Sequence, residues 1–129
     1  MGWALSPTLT TALPLAALHR ALATRRPPRG LVHHSDRGSQ YASAAYEGVL
    51  QQQGLTGRMS RAGDCWDNAV VESFFHTLKV ERVHERRYHT WEEAHADVAD
   101  YIERFYNRQR RHSTLGYLSP ARFELHAAA

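Results

Sequence analysis

Helical and strand-like segments alternate along the first half of this 129-residue sequence, and that alternation is the feature that most limits its fold. Helically spaced leucines predict a helix over about 11–23, and a break rich in proline and glycine separates it from a short apolar strand over 31–35, which we expect to be buried. A second helix is predicted over 44–53 and a weaker strand over 55–60. Elements in this order indicate an α/β fold.

Capping residues and apolar stripes mark the predicted helices. A threonine at 10 or 11 is expected to cap the first helix and Ser43 the second, while Thr90 with Glu93 forms a capping box that opens a helix over 91–106. Another helix is predicted to begin near Asn68. The side chains expected to face the core are Val71, Phe74, Phe75 and Leu78 on that helix, and Ala94, Val98, Tyr101, Ile102 and Phe105 on the last one. The C-terminal part is therefore predicted to be helical.

Composition narrows the class of protein. A hydrophobic content of 43% suits one globular domain. No run approaches the roughly 20 apolar residues that a membrane span needs, and the N-terminus lacks the pattern of a signal peptide. Cys65 is the single cysteine, so we expect no disulfide framework and a reducing cytosol.

Positive charge is concentrated near the C-terminus. The net charge is only +3, but the segment RFYNRQRRH, residues 104–112, carries four arginines, one histidine and two aromatic side chains with no acid. Such a cluster is typical either of a solvated helix end or of a phosphate-binding surface. The residues alone leave both interpretations open.

Two acids are candidates for a metal site. Asp36 follows the predicted strand, at the end where α/β sheets bind ligands, and Glu72 lies on the first turns of a predicted helix. Carboxylate oxygens on rigid elements suit Mg²⁺, and two such ions support phosphoryl transfer. The alternatives are a turn-forming role for Asp36 and a helix-dipole role for Glu72. No spacing of cysteine and histidine resembles a zinc site, although nine histidines are present.

Three motifs together resemble one family. HSDRGSQY, then MSRAGDCWDNAVVESFFHTLKVE, then FYNRQRRHSTLGYLSPARFE are similar to the DDE transposases of bacterial insertion sequences, in the retroviral-integrase superfamily. The resemblance covers residues 1–124 and leaves 125–129 as a tail. It implies a ribonuclease-H-like integrase core and a role in DNA transposition.

The resemblance also implies site residues. The second Asp of the family's Asp–Asp–Glu triad matches Asp36, the Glu matches Glu72, and the 35 residues between them match the family's spacing. These two residues would be catalytic and bind Mg²⁺ or Mn²⁺, and water or a 3′-hydroxyl would attack a DNA phosphodiester. The expected DNA-binding residues are Lys79, Arg108, Arg110, Arg111 and His112. DNA is the expected partner, with no membrane, no small-molecule substrate and no other cofactor.

One departure from the family pattern limits the expected activity. The family's first Asp precedes the helix at 11–23, and residues 1–35 contain no carboxylate. We therefore expect the C-terminal part of an integrase core, truncated at the N-terminus with its first strands missing and with C-terminal helices. Such a chain should bind metal weakly and have little activity alone. Its strand at 31–35 should keep an unpaired edge, which favours self-association or pairing with the rest of a transposase.

Two further hypotheses remain beside an incomplete catalytic core. In the first, the chain is a non-catalytic fragment that binds either DNA or a transposase partner. In the second, it is the product of a decayed gene. In each case the resemblance implies a bacterial cytoplasmic protein found with the nucleoid.

Overall fold

The computed structural model describes residues 2–59 and 69–128, which form two compact units, one ending at Phe75 and one beginning at His76. The first unit contains α1 (Ala12–Arg25), β1 (Val32–Ser35), α2 (Ala44–Gln52), β2 (Thr56–Met59) and most of α3 (Ala69–Leu78). The second contains a π-helical turn (Lys79–Val83), α4 (Trp91–Asp100), a π-helical segment (Tyr101–Tyr106), a 3₁₀ turn (Ser113–Leu115) and α5 (Pro120–Ala127). The helix start expected near Asn68 lies outside the described residues.

The sheet of the first unit has two parallel strands. Val32 pairs with Thr56 and Ser35 with Met59, and α2 provides the crossover that parallel strands require. This mixture of helices with a parallel pair agrees with the predicted α/β class. The expectation of a buried strand at 31–35 is wrong, because Leu31 and Val32 are exposed. Within the described part of the chain β1 has a single neighbouring strand, so its other edge is unpaired there.

The core of the first unit lies where α1, α2 and the start of β2 meet. Its buried side chains are Leu18, Tyr46, Leu50 and Leu55, with Leu15, Leu22, Tyr41 and Val49 packed around them. The leucine spacing of α1 and the apolar face of α2 are thereby confirmed. The Ser43 hydroxyl accepts from the Tyr46 N–H at 3.3 Å, as expected of the cap. Gly54, with φ of 68°, ends this segment in the left-handed conformation that favours glycine.

The helix ends differ from the sequence prediction in two places. Thr11 occupies the N-cap position of α1, but its side chain makes no capping hydrogen bond. The prediction that a threonine side chain caps this helix is therefore wrong. The helix also runs to Arg25 rather than Ala23 and closes through Arg26, whose N–H donates to the Leu22 carbonyl at 2.9 Å. At the other end of the chain, residues 125–127 continue α5.

The apolar stripe expected on α3 is only partly buried. Leu78 is buried, but Val71 is 55% exposed and Phe75 is 50% exposed. The expectation that those two side chains hold the helix on the core is therefore wrong. Spacing along a helix identifies one face, whereas burial requires other residues to cover that face.

The long helix predicted over 91–106 changes its winding halfway. The Thr90 hydroxyl accepts from the Glu93 N–H at 3.1 Å, while the Glu93 carboxylate accepts from the His89 N–H at 2.9 Å. Val98, Tyr101 and Ile102 are buried, as predicted. Phe105 is not, because residues 101–106 wind as a π-helix, whose wider turn carries it away from the stripe that an α-helix would keep.

Glu81 ties the π-helical segment to the arginine-rich end of the second unit. Its carboxylate accepts from the Tyr101 hydroxyl at 2.6 Å and from Arg110 Nη2 and Nε at 2.7 Å and 2.9 Å. Tyr101 is only 1% exposed, so its hydroxyl needs an acceptor. The hydrogen bond from Arg110, assisted by the one from Tyr101, lowers the pKa of Glu81.

A second ion-pair network binds residues 82–88 to α4. Asp97 accepts from Arg82 Nε at 2.9 Å, from Arg86 at 2.8 Å and from the Tyr88 hydroxyl at 2.7 Å. Arg82 also reaches Asp100 at 3.0 Å. These bonds fix the connection in front of α4 and neutralise the arginines that take part in them.

We predict that Glu81→Gln lowers the free energy of unfolding by about 1 kcal/mol at neutral pH, because the pair is partly exposed and screened by solvent. The folded-state pKa of Glu81 lies below its unfolded value. Its stabilisation is therefore complete above the unfolded pKa, about 4.5, and is lost as pH falls through the folded value. Urea unfolding as a function of pH measures this difference.

Glu85→Gln is the matched control, since Glu85 is an exposed glutamate of the same unit. A stability difference between the two variants that persists unchanged well below pH 4 would contradict the assignment to the Glu81 carboxylate.

Candidate functional site

Asp36 begins the tight turn that follows β1. Its Oδ1 atom accepts from the Gly38 N–H at 2.8 Å, and the Tyr41 N–H donates to the Gly38 carbonyl at 3.0 Å. The turn-forming role weighed for this aspartate is therefore observed. It engages one carboxylate oxygen and fixes the orientation of the other, so it leaves the metal-binding hypothesis open.

Glycine at position 38 allows the close approach of that carboxylate. A Cβ atom at this position would lie 2.9 Å from Asp36 Oδ1, closer than real Cβ contacts come. Any larger residue would displace the aspartate or break its hydrogen bond. Sequence reasoning did not single out Gly38, although an Asp followed two residues later by Gly at a strand end is a detectable signal.

Asp36 and Glu72 line the same cavity of the first unit. The cavity has a volume of about 500 Å³, and its wall also contains His33, Tyr41 and Phe75. Glu72 lies in the first turn of α3 and is exposed, while Asp36 is exposed at the end of β1. The structure thus brings together the two acids that the sequence singled out.

The cavity wall beside Asp36 is formed by a histidine–tyrosine pair. His33 Nε2 lies 3.1 Å from the Tyr46 hydroxyl, and Tyr41 meets the Tyr46 ring edge-on at 5.3 Å between centroids. Burial raises the pKa of Tyr46 to about 12 and lowers the pKa of His33, so both groups are neutral at physiological pH. The hydrogen bond to Tyr46 favours a structural role for His33.

The donor set suits a hard divalent cation but is small. Two carboxylates provide oxygens of the kind that Mg²⁺ and Mn²⁺ prefer, with water completing the coordination. In the two described stretches, residues 2–59 and 69–128, no group of three or more histidine, cysteine, aspartate or glutamate side chains is arranged to hold a metal ion. These residues fit a cation held by two protein ligands, for which we expect weak affinity.

Two members of the predicted basic cluster are engaged within the second unit. The Arg110 guanidinium is paired with Glu81, and its Cζ atom lies 5.9 Å from the Tyr106 ring centroid. His112 meets Tyr106 edge-on at 4.7 Å, and burial together with the Arg110 charge lowers the pKa of His112. These contacts favour structural roles for Arg110 and His112.

The other predicted DNA-binding residues, Lys79, Arg108 and Arg111, are exposed to solvent. Lys79 is exposed on the π-helical turn after α3. Arg108 and Arg111 are exposed and line a depression of about 260 Å³ together with Arg122 from α5. Arg122 was not singled out from the sequence, because it lies outside the arginine-rich segment.

Comparison with known proteins identifies the family. Two family profiles, both described as "Integrase core domain", match residues 1–65 and 53–120. The chain is 50% identical over 124 residues to the transposase InsF for insertion sequence IS3A of Escherichia coli strain K12, covering 96% of this chain and 43% of that protein. It is 50% identical over 121 residues to the insertion element IS600 uncharacterized 31 kDa protein of Shigella sonnei, covering 94% of this chain and 44% of that protein.

These matches confirm the resemblance to insertion-sequence transposases that the three motifs carried. The chain spans less than half the length of these curated relatives. No helix in the described part of the chain is long and apolar enough to cross a membrane. The chain belongs to the integrase core domain family.

Proposed function

We propose that this chain contributes to DNA transposition as the C-terminal part of a ribonuclease-H-like transposase core, in which Asp36 and Glu72 hold a divalent metal ion. The observation that supports the proposal is that Asp36 and Glu72, the two residues that match the family's carboxylates, line the same cavity. The identity to insertion-sequence transposases supports DNA as the substrate. The bacterial cytoplasm, where the nucleoid lies, is the corresponding location.

The chemistry is phosphoryl transfer on a DNA phosphodiester. When bound, Mg²⁺ or Mn²⁺ would activate a water or 3′-hydroxyl nucleophile and stabilise the leaving oxygen. Asp36 would be the rigid ligand, since the Gly38 N–H holds one of its oxygens. Glu72 would add its carboxylate from the first turn of α3. A complete site of this family needs a further aspartate, so the chain alone should turn over DNA poorly.

A second candidate function is DNA binding without catalysis. The observation that favours it is the arginine-lined depression of the second unit, because binding a phosphate there requires no metal. Substitutions can distinguish the two candidate functions. The metal-dependent function depends on Glu72, whereas DNA binding without catalysis depends on the exposed arginines. Association with the rest of a transposase or with a second copy fits either of them.

We predict that Mn²⁺ binds the purified chain weakly and that Glu72→Gln lowers the affinity at least tenfold, the minimum expected when a ligand is lost. The spectroscopic signal of free Mn²⁺ during a titration measures the affinity directly. Glu47→Gln is the matched control, because Glu47 is an exposed glutamate on α2 that lines a different depression of the same unit.

Equal Mn²⁺ affinities for the two variants would refute the metal role of Glu72. A cleavage and strand-transfer assay with labelled DNA and Mn²⁺ completes the test. We expect little product from the chain alone. Robust activity that disappears in Glu72→Gln would support the metal site but would show that the chain is not an incomplete catalyst.

A further inference from the structure

Three arginines from separate parts of the second unit converge on one depression. Arg108 and Arg111 come from the arginine-rich segment and Arg122 from the first turn of α5, and all three line a hollow of about 260 Å³. Each is exposed, so its guanidinium group is available to a ligand. Guanidinium groups present several N–H donors in a planar fork, a geometry that matches phosphate oxygens.

Within the described part of the chain, the three guanidinium groups form no ion pair, unlike other arginines of the second unit. Arg110, Arg82 and Arg86 are all paired with carboxylates. Across residues 2–59 and 69–128, Arg108, Arg111 and Arg122 have no carboxylate oxygen within ion-pair distance. Three positive charges around one hollow repel each other and favour a bound anion.

The backbone at the start of α5 contributes little to anion binding. Pro120, at the first position, has no N–H, and the Arg122 N–H is directed to the Ser119 hydroxyl at 3.4 Å. Ser119 is buried and lines the hollow. The binding capacity therefore lies in the arginine side chains.

An aromatic ring is held at the rim of this hollow in a strained conformation. Tyr117 lines the hollow, is 70% exposed and has φ of 61°, a left-handed conformation that is strained for a bulky residue. Its N–H donates to the His112 carbonyl at 2.9 Å, and His112 pairs with Leu118 across the loop. A strained, exposed aromatic residue beside a charged hollow suggests a functional contact.

We propose that Arg108, Arg111 and Arg122 form a subsite for one phosphodiester group of DNA, with the Tyr117 ring positioned to stack on an unpaired base next to that phosphate. The inference rests on the proposed function, in that it takes DNA as the substrate. It goes beyond the sequence prediction by adding Arg122 and Tyr117 and by replacing Arg110 and His112, which are engaged within the unit.

The test measures binding of the full chain to a short fluorescein-labelled DNA duplex by fluorescence anisotropy, over about 50–200 mM NaCl. Arg122→Ala should weaken binding about tenfold. Arg87→Ala is the matched control: Arg87 is exposed and lies among Glu93, Asp97 and Asp100, so its loss should change binding less than about twofold.

The salt dependence distinguishes one phosphate contact from several. If the three arginines hold a single phosphate, replacing all three with alanine should reduce the log–log slope by about 0.9 in total, whereas three separate contacts would reduce it by about 2.7. The larger reduction would overturn the single-site proposal. So would equal affinities of Arg122→Ala and Arg87→Ala, and that result would leave the metal site of the proposed function untouched.

A free anion is the other possible source of the phosphate group, and calorimetry with inorganic phosphate tests it. Weak phosphate binding that DNA displaces supports the proposal. Phosphate binding that is lost in Arg122→Ala while DNA affinity is unchanged would assign the hollow to a small anion and overturn the proposal. A wild-type chain that binds no DNA would also overturn it, whereas the Mn²⁺ titration of Glu72→Gln reports separately on the catalytic hypothesis.

We predict that Tyr117→Asn weakens single-stranded DNA binding about tenfold, because the stacking ring is lost. It should leave the urea midpoint unchanged or higher, because asparagine tolerates the left-handed conformation. Anisotropy with a labelled single strand and urea unfolding measure the two effects. Unchanged affinity would refute the stacking role, and a lower midpoint accompanied by weaker binding would assign Tyr117 a merely structural role.

Discussion

The carboxylate of Glu81 determines the arrangement of the second unit. It accepts from the hydroxyl of Tyr101, a side chain that is almost completely buried, and from the Arg110 guanidinium. A hydroxyl buried to this extent needs an acceptor, and the hydrogen bond from Arg110 favours the ionised form of that acceptor. The pair thus fixes both the π-helical segment and the arginine-rich segment that follows it. Arg110 is paired with Glu81 and Arg104 with Asp100, so Arg108 and Arg111 are the two arginines of that segment that form no ion pair within the described residues.

The parts of the fold that the sequence predicts are those determined by residues close together in the chain. Ser43 and Thr90 cap helices because their hydroxyls reach N–H groups three residues ahead. Burial of Val71, Phe75 and the strand at 31–35 depends instead on which other residues cover them, and the sequence pattern contains no such information. The prediction that Phe105 is buried was wrong for a different reason. It assumed the spacing of an α-helix, whereas the chain forms a π-helix there.

The candidate sites also contain features that nearby residues predict and features that depend on distant parts of the chain. The motif around Asp36 identified this residue as a candidate site residue. The turn-forming role, which was the alternative considered for it, is observed. Four arginines in one segment look equivalent as letters, but their environments differ. Arg110 has a carboxylate partner 29 residues away, a distance at which the sequence gives no pairing signal. Arg122 joins Arg108 and Arg111 only through folding, so it could not be grouped with them beforehand.

The turn-forming role observed for Asp36 is compatible with the metal-binding role proposed for it. A flexible aspartate loses side-chain freedom on binding a cation, and that loss weakens binding. Here the Gly38 N–H already restrains one carboxylate oxygen, and the absence of a Cβ at position 38 makes this close approach possible. Much of the conformational entropy of the Asp36 side chain is therefore lost during folding rather than during binding of the cation. With few protein ligands available, such preorganisation is what would make the shared cavity with Glu72 useful to a metal ion that demands regular geometry.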